Sequence, residues 1–157
     1  MSLDYLPLPG TPRDQLDTPC LVIDLPVMEA NIRKMADTLR QRGVAHRPHF
    51  KTPKSPAIAL RQIEAGAIGI CAAKVGEAEV LAANGIKDIL IANQVVGPTK
   101  IARLMPLCRQ ANMMVAVDDP ANVAMLSEAA QAFNVKLRVV VEVNVRMNRC
   151  GVEPGQP

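Results

Sequence analysis

From residue 44 onward the sequence repeats one pattern, and that repetition limits the fold more than any other feature. A short apolar run is followed by a stretch with helical periodicity, then by Gly or Asn, then by the next run. The runs recur at roughly 20 to 25 residues, the interval of a strand plus its crossover helix in a parallel α/β sheet. Residues 44–51, 67–73, 88–93, 113–117 and 136–145 are the five strands of this series. Their nearly unbroken apolar character suits strands covered on both faces. The first is the weakest, because Pro48 has no N–H to give to a ladder. Ser55-Pro56 caps the first helix between them, and Gly66 ends it. Further helices run from Val75 to Asn84-Gly85, from Pro98, and from Asp119-Pro120 to about Phe133. Pro106 predicts a kink or a break in the helix that starts at Pro98.

Ahead of the repeat, residues 1–17 are rich in Pro, Gly and Asp and form an irregular lead-in. Thr18-Pro19 opens Cys20-Leu21-Val22-Ile23, which has the look of a sixth, N-terminal strand. Asp24-Leu25-Pro26 is a helix start. Met28, Ile32, Met35 and Leu39 then form one apolar stripe, and Gly43 stands where a helix cap belongs.

Composition removes several function classes. The chain is 49% hydrophobic, too apolar for a disordered protein. A net charge of +3 and 2% aromatic content leave neither a basic footprint nor stacking platforms for nucleic acid. No run approaches the roughly 18 apolar residues of a membrane span. Met1-Ser2-Leu3-Asp4 lacks the basic-then-apolar build of a signal peptide. Cys20, Cys71, Cys108 and Cys150 are far apart and read as reduced thiols of a cytoplasmic protein. His46 and His49 flank Arg47-Pro48, which argues against a helical metal-ligand pair, and no metal ligand is assigned.

Two parallel architectures compete, a doubly wound open sheet and a (β/α)₈ barrel. No G-x-G-x-x-G follows a strand and no phosphate-binding P-loop is present, so the dinucleotide reading loses ground. Asp118-Asp119 could suggest an acidic metal pocket, but Asp119-Pro120 already serves as a helix cap. In either fold the active site lies at the C-terminal ends of the strands. That rule selects Lys51, Ala73, Asn93, Asp118 and residues 145–151. A Lys at such a mouth can trap a carbonyl if its nitrogen is neutral, and cations beside it, Arg47 and Lys54, would favour that form. Taken alone, it also suits an ordinary solvated charge. Arg149, in Asn148-Arg149-Cys150-Gly151, offers paired donors for a carboxylate, a phosphate or a phenolate oxygen.

Five strings occur in order from about Leu16 to Gly155: residues 17–25, 47–52, 71–79, 89–96 and 148–152. Their core motifs are Thr18-Pro19-Cys20, Arg47-Pro48-His49-Phe50-Lys51-Thr52, Lys74-Val75-Gly76-Glu77-Ala78, Ala92-Asn93-Gln94 and Asn148-Arg149-Cys150-Gly151. Together they resemble the N-terminal part of the D-threonine aldolase/D-serine dehydratase family. That family is related to the alanine racemase N-terminal barrel of fold-type III pyridoxal phosphate enzymes. The resemblance implies a partial (β/α)₈ TIM barrel with about five of eight strands, residues 18–157 forming the N-terminal part of the barrel domain. It implies pyridoxal 5'-phosphate on Lys51 as a Schiff base, with Lys54 second to it, and Arg149 near the cofactor ring or the substrate carboxylate. The implied activity is a lyase reaction on β-hydroxy D-amino acids, either cleavage to glycine and an aldehyde or dehydration. A divalent metal held by a C-terminal β-domain and a homodimer belong to the full-length family.

Three positions depart from the family pattern. Pro53 replaces a His, Arg146 replaces a usual Gly, and Ala73 stands where some hydroxyaspartate-cleaving members carry Gln. They leave open a non-catalytic pyridoxal phosphate-binding barrel. Length leaves open an inactive truncated fragment, since 157 residues fall short of the roughly 250 of a TIM barrel.

Overall fold

The computed structural model describes residues 7–155. Met1-Ser2-Leu3-Asp4, where a signal peptide was not expected, lies outside them. Four strands form one parallel sheet in chain order: β1 (Ile70–Ala72), β2 (Asp88–Ile91), β3 (Asn112–Val117) and β4 (Arg138–Val141). Five helices accompany them: α1 (Leu25–Gln41), α2 (Pro56–Glu64), α3 (Val75–Ala83), α4 (Pro98–Leu104) and α5 (Pro120–Ala132). No helix among the described residues is long and apolar enough to cross a membrane.

The helices start where local chemistry directs. The Asp24 carboxylate accepts the Val27 N–H at the head of α1, and Asp119 accepts the Ala121 N–H at the head of α5. Ser55 occupies the cap position of α2 without a side-chain cap bond, so Pro56 at the first turn does more there than the hydroxyl. Pro106 produces the expected break: α4 gives way to a 3₁₀ segment, Met105–Arg109.

Register places alternate residues on opposite faces. Ile70, Ala72, Ile89, Ile91, Met113, Val115 and Val117 point to the helices and are all buried. There they meet Leu81, Ile101, Leu104, Met105 and Leu126 in one core. Each large apolar side chain enclosed this way contributes about 1.5–3 kcal/mol. The opposite face is more open. Cys71 and Leu90 on it are half-buried, and all four residues of β4 are exposed. The expectation of strands covered on both faces therefore holds for β3, buried from Met113 to Val117, and fails for β4, which is exposed on both faces.

Two strand assignments change. Residues 44–51 contribute a single parallel bridge, His49 to Cys71, supported by the Cys71 N–H to Pro48 carbonyl bond at 2.8 Å. Pro48 limits it to that. Cys20-Leu21-Val22-Ile23 is extended but not a strand, because no neighbour pairs with it, and Leu21 is fully exposed. The apolar stripe of α1 faces a groove of about 630 Å³ lined also by Ile58, Pro53 and His46, so no residue of α1 is fully buried.

Candidate functional site

The C-terminal ends of the strands carry a layered set of side chains on the open face. Following the register, His49, Cys71, Leu90 and Met114 make one row. Two residues further along, Ala73, Ala92, Ala116 and Val140 make the next, while Lys51 lies in the turn that follows His49. Two residues beyond that, Gln94, Asp118 and Glu142 form a polar rim. Ala73, Ala92 and Ala116 bring only methyl groups to the row before it, Ala92 exposed and Ala116 buried.

Gln94 ties the rim together. Its Nε2 donates to Asp118 Oδ2 at 2.8 Å and to Glu142 Oε2 at 2.7 Å. The same Asp118 oxygen accepts the Gly151 N–H at 2.9 Å, and Glu142 Oε1 accepts the Cys150 thiol at 3.0 Å. The thiol bond first and the Gln94 bond second hold the Glu142 carboxyl below its ordinary range, with Arg149 adding to the effect against burial. Gly151 lies at φ 101, and a Cβ there would sit 2.7 Å from the Asn144 nitrogen and 2.8 Å from the Val143 carbonyl carbon. Only glycine lets this turn fold down onto the end of β4. Asn144 closes the loop by accepting the Asn148 N–H and donating to Glu153.

Lys51 lies at the other side of the mouth, exposed, one turn after His49. Its backbone N–H donates to His49 Nδ1 at 3.3 Å, which puts the proton of the neutral imidazole on Nε2. Burial first, then the Lys51 charge, lowers the His49 pKa from its ordinary value against an opposing pull from Glu77. Glu77 is buried and accepts the Ala73 N–H at 2.7 Å, fixing the end of β1 to the start of α3. Asn93 donates to the Ala73 carbonyl at 3.4 Å.

All the residues selected from sequence therefore stand at one end of the sheet. Their neighbours differ from the expectation in one respect. Arg47 is not beside Lys51: it ion-pairs with Asp88 at 2.5 Å at the opposite end of the strands. Lys51 follows it by four residues, in the turn that begins at Phe50 and closes with the Lys54 N–H to Phe50 carbonyl bond. Lys54 follows a turn and holds φ 45, exposed to solvent. Arg146 holds φ 83, the region in which glycine is unstrained, so the substitution of a usual Gly carries a conformational cost of about 1 kcal/mol. His46 and His49 part company, the first lining the α1 groove and the second facing Lys51 and Glu77. Asp119 caps α5, while Asp118 joins the rim. Gln94, Glu142 and His49 were not selected. The period-two count from Leu90 and from Val140 along their strands would have found the first two.

The residues present fit pyridoxal phosphate: the primary amine of Lys51 can take a carbonyl carbon, Ala73 and Ala92 carry little bulk at this end of the sheet, and the guanidinium of Arg149 belongs to the loop after β4.

Residues 23–157 match the family model described as the alanine racemase, N-terminal domain. The chain is 48% identical over 144 residues to D-threonine aldolase from Arthrobacter sp., covering 92% of this chain and 38% of that protein. It is 44% identical over 151 residues to 3-hydroxy-D-aspartate aldolase from Paracoccus denitrificans, covering 95% of this chain and 39% of that one. The crystal structure of D-threonine aldolase from Filomicrobium marinum superposes with a TM-score of 0.88 at 49% identity, over 90% of this chain and 38% of the other. The chain thus spans less than two-fifths of the length of the curated relatives it matches.

Proposed function

The chain belongs to the alanine racemase N-terminal domain family, and from that membership we propose that it carries the cofactor-holding half of a pyridoxal phosphate-dependent lyase for β-hydroxy D-amino acids. Residues 18–157 would be the first part of its barrel domain. The observation that carries the reading is Lys51 in the turn that follows the His49 to Cys71 bridge, at the end of the sheet where Ala73 and Ala92 follow β1 and β2 and Ala116 lies on the open face of β3. The family resemblance and the names of the two aldolase relatives support retro-aldol cleavage to glycine and an aldehyde.

When bound, the cofactor supplies an electron sink for the bond broken at the substrate's α-carbon. Lys51 would hold the cofactor through its Nζ, and that nitrogen, once free, would be a base at the mouth. His49 adds no second cation next to it. Arg149 offers two parallel donors to an anionic oxygen of cofactor or substrate. Ala73 and Ala92, with side chains no larger than a methyl group, would leave room for the ring. The same reading includes a cytoplasmic homodimer whose remaining chain supplies a β-domain and a divalent metal acting on the β-hydroxyl.

The test is direct. Pyridoxal phosphate followed by borohydride should fix one adduct on the Lys51 peptide, read by mass. A tag on Lys54, or none, overturns the assignment. Release of glycine from D-threonine or D-3-hydroxyaspartate by the enzyme carrying this segment would establish the reaction.

A further inference from the structure

The rim of the mouth contains a device that the proposed chemistry does not use directly. Two carboxylates, Asp118 and Glu142, come from adjacent strands and share one neutral donor, the Gln94 amide. Both hydrogens of that amide are spent on them. Each carboxylate then holds the next loop by a different bond, Asp118 through the Gly151 N–H and Glu142 through the Cys150 thiol. Arg149 is the residue immediately before these two anchors. Its own side chain is exposed, so contacts of the guanidinium itself do not fix where it stands. The anchors after it do.

We infer that Gln94 is a positioning residue: by bridging Asp118 and Glu142 it holds the Cys150-Gly151 turn against the sheet and so sets the place of Arg149 at the mouth. The part of this that concerns ligand binding rests on the pyridoxal phosphate reading, while the clamp itself does not. The chemistry at position 94 is specific. An amide is the uncharged group that offers two donors here. A glutamate of the same shape offers acceptors only and would set a third carboxylate between two others. Loss of two hydrogen bonds to charged acceptors is worth about tenfold or more in the population of the held loop.

Gln94→Glu and the uncharged Gln94→Met are the variants, compared by two readouts. The first is the iodoacetamide alkylation rate of Cys150, followed by peptide mass with exposed Cys20 as the internal standard. It should rise about tenfold in both variants, more in the glutamate one, while the Cys20 rate stays unchanged. A Cys150 rate within about twofold of the parent, in a variant of unchanged circular dichroism, overturns the clamp. The second is pyridoxal phosphate affinity, measured from the cofactor's absorption change. It should fall about tenfold in Gln94→Met, and the same change in an Arg149→Ala background should have less than about a twofold effect. Fully multiplicative effects would mean that Gln94 does not act through Arg149, and would overturn the positioning role. If Gln94→Glu does not fold, Gln94→Met decides. Failure of the parent to bind the cofactor would sink the proposed function, and the Cys150 rate would still decide the clamp.

Discussion

Both ends of the parallel sheet carry polar side chains on the face turned away from the helices, and the two ends are built on opposite plans. At the N-terminal end Asp88 is the hub. Arg47 ion-pairs with its Oδ1 at 2.5 Å, Asn112 donates to its Oδ2 at 2.7 Å, and Arg138 stands 3.9 Å from the same oxygen. Asp88 Oδ1 makes no hydrogen bond besides that ion pair. Gly69 packs so closely that a Cβ there would collide with the Arg47 guanidinium and lie 2.6 Å from the Asp88 carbonyl oxygen. Cations here meet an anion. At the C-terminal end two anions face one neutral amide, a backbone N–H and a thiol. At that end the hydrogen bonds to the carboxylates come from neutral donors, Arg149 acts on Glu142 through its charge alone, and Lys51 is exposed. The first plan favours stability. The second gives up some stability to keep groups available, the division expected between the two ends of barrel strands.

Three changes test that division, beginning with the largest. Asp88→Ala leaves Arg47, with 15% of its side chain exposed, without its partner. The cost should be about 3 kcal/mol in urea unfolding, with cofactor affinity of the folded fraction nearly unchanged. A comparable loss of affinity would erase the distinction between the ends. Gly151→Ala forces a methyl group against the backbone of β4's end at a positive φ. We expect about 2 kcal/mol in the same unfolding curve, together with a faster Cys150 alkylation rate that Asp88→Ala does not give.

The smallest effect is a pH dependence. His49 has a folded pKa below its ordinary 6.5, so the unfolded chain binds more protons just below that value. Its contribution is complete above 6.5 and is lost as pH falls through the folded pKa. Glu142, also lowered, contributes above its ordinary 4.5 and loses that contribution on further acidification. Unfolding midpoints measured down the pH scale should therefore decline first by a shallow step that His49→Gln removes. A decline that His49→Gln leaves in place would assign it elsewhere.

Much of the fold was legible because its signals are local. Asp24, Asp119 and Pro98 mark helix starts through sterics and a single hydrogen bond, and Pro106 breaks α4 where it stands. The apolar runs around Ile89 and Val115 lie in the strands as read. Cys20-Leu21-Val22-Ile23 has the same apolar look and forms no strand, since strand formation needs a partner that composition does not reveal. Lys51 and Arg149 were legible as members of motifs. Gln94 also lies in a motif, but its role was not legible, because it depends on Asp118 and Glu142, 24 and 48 residues away.

The sequence by itself determined an alternating parallel α/β chain, the end of the sheet at which Asn93, Asp118 and the 145–151 loop stand, and the family to which its motifs point. These follow from periodicity, capping and spacing, all of which act within a few residues. Only the tertiary structure decided which polar groups meet. Register across the strands sends Arg47 to Asp88 and away from Lys51, and brings Gln94 between two carboxylates. That register is set by the packing of Ile70, Ile89 and Val115 against the helices. A shift of one residue would turn every one of these side chains to the other face.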